Sequence, residues 1–326
     1  MPILDGQQAG ALDAAAQRLV AGELLAFPTE TVYGLGARAD DDLAVARIFA
    51  AKGRPAGHPL IVHLAEAAAA EHFASSLGDT AQALMARFWP GPLTLIVPRR
   101  PGRADAAAGH QASIGLRVPS HPMGLALLQE CARRGLHGVA APSANRFGRV
   151  SPTTATHVVQ EFGADLWVLD GGPCEIGIES TIVDCTRPQP ALLRPGRLGR
   201  AAIEAVLGQR LVDADARSPR APGTLASHYA PAARLRLMDT AALRAAVSVL
   251  HGAVPPGLAV YSRSVLDCPP GVSNRRMPGD AQSAARELFA VLREFDAVGA
   301  RLIWVEHPPA TPEWDGVRDR LQRAAA

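Results

Sequence analysis

The chain has 326 residues, 48% of them hydrophobic and 20% charged, a balance that is typical of globular proteins and excludes disordered and collagen-like chains. This length exceeds what one ordinary core accommodates, so we expect two domains. The net charge of +2 excludes a chain whose whole surface is built to coat nucleic acid.

The cysteines and the N-terminal sequence bear on the compartment. Four cysteines form neither a CxxC pair nor a Cys/His metal spacing: Cys131, Cys174, Cys185 and Cys268. The start MPILDGQQAG lacks the basic and apolar regions of a signal peptide, and no apolar run reaches the 18 residues of a membrane span. We therefore expect a cytoplasmic protein with reduced thiols and no membrane partner.

Strand-like and helix-like segments alternate through residues 1–211. Apolar runs bounded by glycine, proline or polar residues predict strands at 24–29, 59–64, 93–98, 113–119, 138–143, 167–172 and 180–186. Helical patterns fall at 8–21, 41–52, 66–76, 79–89, 122–134 and 153–162, with Asp40 to Asp42 expected to cap the second helix. We predict an α/β fold, with a large, twisted, mixed sheet and flanking helices.

Residues 212–232 break this alternation. They are rich in proline, alanine and serine, which is typical of a linker. From residue 233 the pattern resumes with strands at 233–239, 257–263 and 300–307 and helices at 240–251, 281–297 and 313–325. This predicts a small C-terminal three-layer, Rossmann-like α/β domain over residues 233–326. It has no glycine fingerprint after its first strand, so we assign it no cofactor.

Lys52 is the only lysine among the 33 basic residues. The presence of a single lysine suggests that its position requires an ammonium group, and the alternative explanation is that it is there by chance. Arg54 follows two residues later, and a point charge beside a planar guanidinium suits a bound polyphosphate. We expect both on an extended loop and nominate both as catalytic charge stabilisers.

Hydroxyls, histidines and further arginines occur where predicted strands end, which is where open α/β sheets hold ligands. Each also has an ordinary explanation: a capped turn, a structural histidine or an arginine paired with a protein carboxylate. The sequence contains no GxxxxGK[ST] loop and no GxSxG elbow, so an ATP site would not be of the Walker type. The residues in question are Thr31, His58, His63, Ser113, Arg117, Ser143, Asn145, Ser151, Ser180 and Arg194.

Seven segments in order carry a family resemblance: PTETVYGLG, KGRP with HPLIVH, SIGLR, PSAN, ESTIVD, LLRPG and HYAP. Together they resemble the YrdC-like family and, within it, the long two-domain threonylcarbamoyl-AMP synthases. The resemblance covers nearly the whole chain. It implies a nucleotidyltransferase that makes L-threonylcarbamoyladenylate from L-threonine, bicarbonate and ATP, releasing pyrophosphate, for the threonylcarbamoyladenosine modification of tRNA.

The resemblance also implies residue roles. The threonine site would comprise Thr31, His63, Arg117, Ala141 and Ser180. The ATP site would comprise Arg54, His58, Ser113, Ser143, Asn145, Ser151, Arg194 and Tyr229, with Tyr229 closing over the nucleotide as part of a linker lid.

The resemblance implies cofactors and partners as well. Mg²⁺ is expected with ATP, its ligands are unknown, and Glu30 and Glu179 are the candidates. We expect no tightly bound organic cofactor. A downstream threonylcarbamoyl transferase is the expected partner, and a direct tRNA contact stays open.

Two other functions are alternatives to this one. A non-catalytic module that binds double-stranded RNA would read shape and phosphates, but the net charge is modest and aromatic residues are only 5%. A carbamoyl-handling hydrogenase-maturation protein would need further zinc-finger cysteine pairs, which the sequence does not contain.

Overall fold

The computed structural model describes residues 3–326, apart from the side chains of 251 and 252. The first two residues of the segment 1–211, which the resemblance implies is the YrdC-like catalytic domain, therefore lie outside the described range. Contacts divide the chain into two compact units, Met1–Phe147 with Ser151–Thr224 and Gly148–Val150 with Leu225–Ala326. The change between units after Thr224 falls inside the segment 212–232, whose function as linker and lid stays a prediction.

The first unit has a large mixed sheet, as the sequence predicts. Over the described residues it has eleven strands in the order β1-β8-β2-β3-β7-β4-β6-β5-β9-β10-β11. Its strands are β1 Ile3–Asp5, β2 Leu25–Phe27, β3 Gly34–Arg38, β4 Ile61–His63, β5 Leu93–Pro98, β6 Ser113–Arg117, β7 Val139–Ala140, β8 Trp167–Asp170, β9 Thr181–Asp184, β10 Ala191–Arg194 and β11 Val212–Asp213. The sheet contains both kinds of pairing: β8 pairs parallel with β1 and β2, β3 pairs antiparallel with β2 and β7, and β6 pairs parallel with β4 but antiparallel with β5.

The helices of this unit are α1 Ala11–Val20, α2 Asp42–Lys52, α3 Ala70–Phe73, α4 Asp79–Phe88, α5 Pro122–Arg133, α6 Ala155–Phe162 and α7 Arg200–Leu207. The predicted cap of α2 is confirmed, because the Asp41 carboxylate accepts from the backbone N–H groups of Leu43 and Ala44. The helix predicted at 66–76 is wrong in extent. A 3-10 helix at Ala67–Ala69 leads into α3, and Ser75 N then donates to Pro98 O, which draws the chain into extended pairing beside β5.

The sequence does not predict β3, because the polar residues and two glycines that follow the strand predicted at 24–29 indicate a turn. In the structure the chain turns at 28–33 and returns as β3, antiparallel to β2. Gly36 makes this close pairing possible. A Cβ there would lie 2.9 Å from Phe27 Cε1 and 2.9 Å from Val139 Cγ1. The polar segment 28–33 is therefore the connection of a tightly packed hairpin.

The second unit has a parallel sheet in the order β12-β15-β13-β14. Its elements are β12 Arg234–Met238, α8 Thr240–Ser248, β13 Leu258–Ser262, β14 Ser273–Arg276, α9 Ala281–Ala297, β15 Leu302–Glu306 and α10 Asp315–Ala324. β14 adds a fourth strand to the three predicted. Its sequence SNRR is exposed throughout, so no apolar pattern signalled it. Among the described residues, no helix combines the length and apolarity needed to cross a membrane.

Candidate functional site

Lys52 is the last residue of α2, in agreement with the helix predicted at 41–52, and does not lie on the extended loop expected to carry both cations. The helix ends at Gly53, whose φ of 62° lies in the left-handed region that glycine tolerates. The side chain of Lys52 is buried and points back to the loop after β7. Its Nζ donates to Ser143 O at 2.5 Å and also to Asn145 O. Lys52 therefore ties α2 to the PSAN segment.

Burial lowers the pKa of Lys52 well below its ordinary value, and the Arg54 guanidinium lowers it further. Glu161 and Glu179 act in the opposite direction. The ammonium is thus desolvated and held by two carbonyl oxygens. A charge in such surroundings interacts strongly with an anion that enters the same space.

Arg54 and His58 meet at one aromatic ring. Arg54 Nη2 donates to Pro59 O at 2.9 Å, and its guanidinium carbon lies 5.7 Å from the centre of the Phe147 ring. The half-buried His58 ring contacts the same ring edge-on at 5.7 Å. Sequence reasoning missed Phe147. Its position two residues after Asn145 was the available signal, because aromatic rings are frequent partners of guanidinium groups.

Arg117 is buried among three protein acceptors. Its Nε donates to Gly91 O at 3.2 Å and its Nη1 to Thr31 Oγ1 at 3.0 Å. Its Nη2 lies 2.7 Å from Glu30 Oε1, and each side chain of this ion pair is 4% exposed. In this structure the partner of Arg117 is a protein carboxylate, one of the two possibilities that the sequence leaves open. The structure thus brings together Arg117 and Thr31, two of the residues predicted for the threonine site, whose role in binding threonine stays a prediction.

His63 lies beside Arg117 in the register of β4 and β6. Burial, and then the positive charge of Arg117, lower the pKa of His63 to about 3. The imidazole is therefore neutral at physiological pH and offers one donor and one acceptor. Ala141 lies beside β4, the strand that contains His63, because its N–H donates to Ile61 O at 2.9 Å.

Ser180 and Arg194 form a third group with Thr94. The Ser180 hydroxyl lies 2.8 Å from Thr94 Oγ1. Arg194 Nη2 donates to Ser180 O at 2.9 Å and to Ser180 Oγ at 3.2 Å, while Nη1 donates to Pro222 O at 2.9 Å. Thr94 was missed. A hydroxyl inside the apolar run LTLIVP was the signal for it.

Two further hydroxyls predicted for the ATP site belong to Ser151 and Ser113. Ser151 Oγ donates to Glu179 Oε1 at 2.5 Å, and Ser113 is a buried residue at the start of β6. Glu30 and Glu179, the candidates for magnesium, thus both bind protein donors. Over the described residues, no group of three or more histidine, cysteine, aspartate or glutamate side chains is arranged to hold a metal.

Tyr229 belongs to the second unit. Its buried ring stacks on Phe289 with centroids 5.5 Å apart, and the Arg320 guanidinium carbon lies 5.2 Å from the ring centre. Its φ of 62° is unusual for a residue other than glycine. The closure of Tyr229 over a nucleotide stays a prediction.

Family models and known proteins match the chain closely. The Sua5/YciO/YrdC model, described as "Telomere recombination", matches residues 17–196, and the model "Threonylcarbamoyl-AMP synthase, C-terminal domain" matches residues 198–326. The chain is similar to the threonylcarbamoyl-AMP synthase of Bacillus subtilis, with 39% identity over 95% of the chain and 92% of the relative.

Two solved structures are similar over the whole length. Pyrococcus abyssi Sua5 complexed with L-threonine has 34% identity and a TM-score of 0.89, covering 100% of this chain and 98% of that chain. A variant of the same Sua5 with alanine in place of adjacent histidine and tyrosine residues has 33% identity and a TM-score of 0.89, covering 99% and 96%.

Proposed function

The chain belongs to the Sua5/YciO/YrdC family, and from this membership we propose that it makes L-threonylcarbamoyladenylate from L-threonine, bicarbonate and ATP. The chain is then an adenylate-forming nucleotidyltransferase that serves the threonylcarbamoyladenosine modification of tRNA. Relatives named threonylcarbamoyl-AMP synthase and the similar Sua5 that binds L-threonine support this proposal.

The observation that carries the proposal is the buried contact of Lys52 with the PSAN loop. The only lysine of the chain places its ammonium against Ser143 O and Asn145 O, and Arg54 follows two residues later. A desolvated cation of this kind costs free energy unless an anion or a set of dipoles compensates for it. The triphosphate of ATP is such an anion, so we assign Lys52 and Arg54 to it, with His58, Ser113, Ser143, Asn145, Ser151, Arg194 and Tyr229 completing the nucleotide site.

The threonine end is proposed to comprise Thr31, His63, Arg117, Ala141 and Ser180. The neutral imidazole of His63 adds no second positive charge beside Arg117. It can therefore accept or donate a hydrogen bond to the amino acid without repelling its ammonium group. The hydroxyls of Thr31 and Ser180 each already bind an arginine, which fixes their orientation.

The reaction needs no protein nucleophile. The neutral amine of threonine attacks the carbon of bicarbonate with loss of water, or the carbon of CO₂ derived from it with loss of a proton, and forms a carbamate. A carbamate oxygen then attacks the α-phosphorus of ATP, the bond to the bridging oxygen of the β-phosphate breaks, and pyrophosphate leaves. Alignment of the reactants alone can lower the barrier by roughly 7–11 kcal/mol. Lys52, Arg54 and Arg194 would stabilise the charge on the phosphates.

A divalent ion, with Mg²⁺ as our choice, would arrive with the nucleotide, since magnesium is usually held by one or two carboxylates plus substrate phosphates. The residues fit this limited role, because the Glu179 carboxylate lies beside Ser151 of the proposed nucleotide site. When bound, the ion would neutralise phosphate charge. We further propose a cytoplasmic location and transfer of the adenylate to a downstream threonylcarbamoyl transferase.

The test is threonine-dependent release of pyrophosphate. Purified protein with ATP, bicarbonate and L-threonine should release pyrophosphate and form the adenylate, and omission of threonine should abolish both. Serine at equal concentration is a matched control for recognition of the methyl group. Salt-dependent binding of double-stranded RNA without pyrophosphate release would instead favour a non-catalytic RNA-binding module.

A further inference from the structure

A three-residue segment of the proposed nucleotide loop belongs to the second unit. Asn145 and Ser151, both assigned to ATP above, group with the first unit, but Gly148–Val150 between them group with the second. The loop is therefore supported at its middle by residues that lie far away in the sequence.

Three contacts within the second unit hold this segment. Arg293 of α9 donates from Nη2 to Val150 O, and Ala230 N donates to Gly148 O at 2.8 Å. The Arg149 guanidinium lies 3.5 Å from Asp296 Oδ2. Arg293 and Asp296 are three residues apart in α9, so their side chains lie on one face of that helix.

The same face of α9 also holds the chain that leads into β12. Asp296 accepts from Ala232 N at 2.9 Å and from Ala233 N at 3.2 Å. Phe289, four residues before Arg293, carries the stacked ring of Tyr229. One helix face thus binds two backbone segments, 148–150 and 229–233, and keeps both in place.

The contacts differ in strength. Arg149 is 44% exposed, so its ion pair with Asp296 is weak and screened by salt. The hydrogen bonds that Arg293 donates and Asp296 accepts each join a charged group to the backbone, and bonds of this kind are about twice as strong as neutral ones. Arg293 therefore holds the segment directly through Val150 O. Asp296 holds it mainly through Ala232 and Ala233, which follow Ala230, the residue whose N–H donates to Gly148 O.

We propose that Arg293 and Asp296 are positioning residues for the ATP site, acting through Gly148–Val150 on Asn145 and Ser151. This inference rests on the proposed function, because the ATP role of Asn145 and Ser151 is part of it. It assigns a task to α9, which holds the segment Gly148–Val150 in one conformation.

The experiment measures the Kd of ATP by titration calorimetry, which does not require turnover. Arg293→Ala should raise the Kd of ATP roughly 10-fold while the Kd of L-threonine changes less than about twofold, since the loss of one charge-assisted bond frees the loop. Arg293→Lys, which keeps a donor for Val150 O, should recover most of the ATP affinity. Arg244→Ala, an exposed arginine of α8, is the matched control and should bind ATP like the unaltered protein.

Asp296→Asn is the second variant, in case Arg293→Ala does not fold, and should raise the Kd of ATP without changing that of threonine. Unchanged ATP affinity in folded Arg293→Ala and Asp296→Asn would overturn the proposal, as would equal losses of ATP and threonine binding, which indicate general loosening. Absence of ATP binding to the unaltered protein would also overturn it. Pyrophosphate release by the unaltered protein, measured on the same samples, separately decides the proposed function.

Discussion

Lys52 combines a buried ammonium with acceptors that are all backbone carbonyls. Ser143 O and Asn145 O cannot change their charge, so they hold the ammonium without neutralising it. Burial and Arg54 lower the pKa of this amine, so a bound phosphate group would favour its charged form, and neither carbonyl would cancel that charge as a carboxylate partner does. Arg117 shows the opposite arrangement, because Glu30 neutralises it within the protein.

Replacement of Lys52 should therefore affect chemistry more than folding. We expect Lys52→Met, which keeps the length of the side chain, to lower the rate of threonine-dependent pyrophosphate release by roughly 100-fold, the usual effect of removing one group that stabilises transition-state charge. Steady-state pyrophosphate release and thermal unfolding measure the two effects. Lys52→Arg keeps the charge and serves as control. A near-normal rate in folded Lys52→Met would remove Lys52 from the phosphate site.

Some residues of the candidate site could be found from the sequence and others could not. The scarcity of lysine identified Lys52, and the order of the motifs identified Thr31, Arg117 and Ser180. In the structure each of these four residues contacts another predicted site residue. Phe147 and Thr94 were missed because their roles arise from contacts between distant segments. The choice between a protein and a ligand carboxylate for Arg117 could not be made from sequence, since Glu30 reaches it only once β2 and β6 share a sheet.

Among the elements, the turn after β10 is packed closely against the start of β9. Gly196 follows β10, and a Cβ on it would lie 2.5 Å from Thr181 N and 2.7 Å from Glu179 O. These are backbone atoms at the start of β9, so they cannot rotate away as a side chain would. The glycine lets the chain pass directly over Ser180.

Gly196→Ala should accordingly destabilise the first unit by roughly 1–3 kcal/mol, the usual cost of overpacking, and displace Ser180. Urea denaturation would measure the free energy of unfolding, and calorimetry the affinity for threonine. Gly279→Ala is the matched control, since a Cβ there meets nothing within 4 Å. Equal stability of the two variants would contradict the close packing at Gly196.

Most elements were predictable because their apolar patterns match their burial. β5 coincides with its predicted range of 93–98, and α9 with its predicted range of 281–297. β3 and β14 were missed for different reasons. β3 contains two glycines that read as a turn, and β14 is a short exposed strand without apolar residues. In both, pairing with a neighbouring strand decides the conformation, and local sequence does not show it.

For the molecule as a whole, each unit has its own stabilising interactions. In the second unit, the buried Glu306 accepts from Ser262 Oγ at 2.6 Å, Thr240 Oγ1 at 2.7 Å and Ser264 Oγ at 2.7 Å. Burial alone would raise the pKa of this carboxyl, but these hydrogen bonds outweigh burial and lower it to about 2. The carboxylate joins the carboxyl ends of strands across the parallel sheet.

This predicts an acid-sensitive second unit. A carboxyl whose pKa is lower in the folded than in the unfolded state contributes stability above its ordinary pKa of 4.5, and loses it as the pH falls from 4.5 toward 2. Glu306→Gln should be less stable than the unaltered protein at pH 7, and the gap should shrink near pH 3. Hydrogen exchange of peptides from residues 258–306 would measure it. A gap that does not vary with pH would exclude an ionised Glu306 as its source.

The bond from Arg293 to Val150 has a consequence for the order in which the protein is built. The two residues are 143 positions apart, so this contact cannot form until α9 has been synthesised. A nascent chain can already assemble most of the large sheet by then, because domains generally fold as they emerge from the ribosome. Its loop between Asn145 and Ser151 still lacks one anchor at that time. Full support of this loop is thus among the last steps of maturation, and a chain cut short before α9 never reaches it.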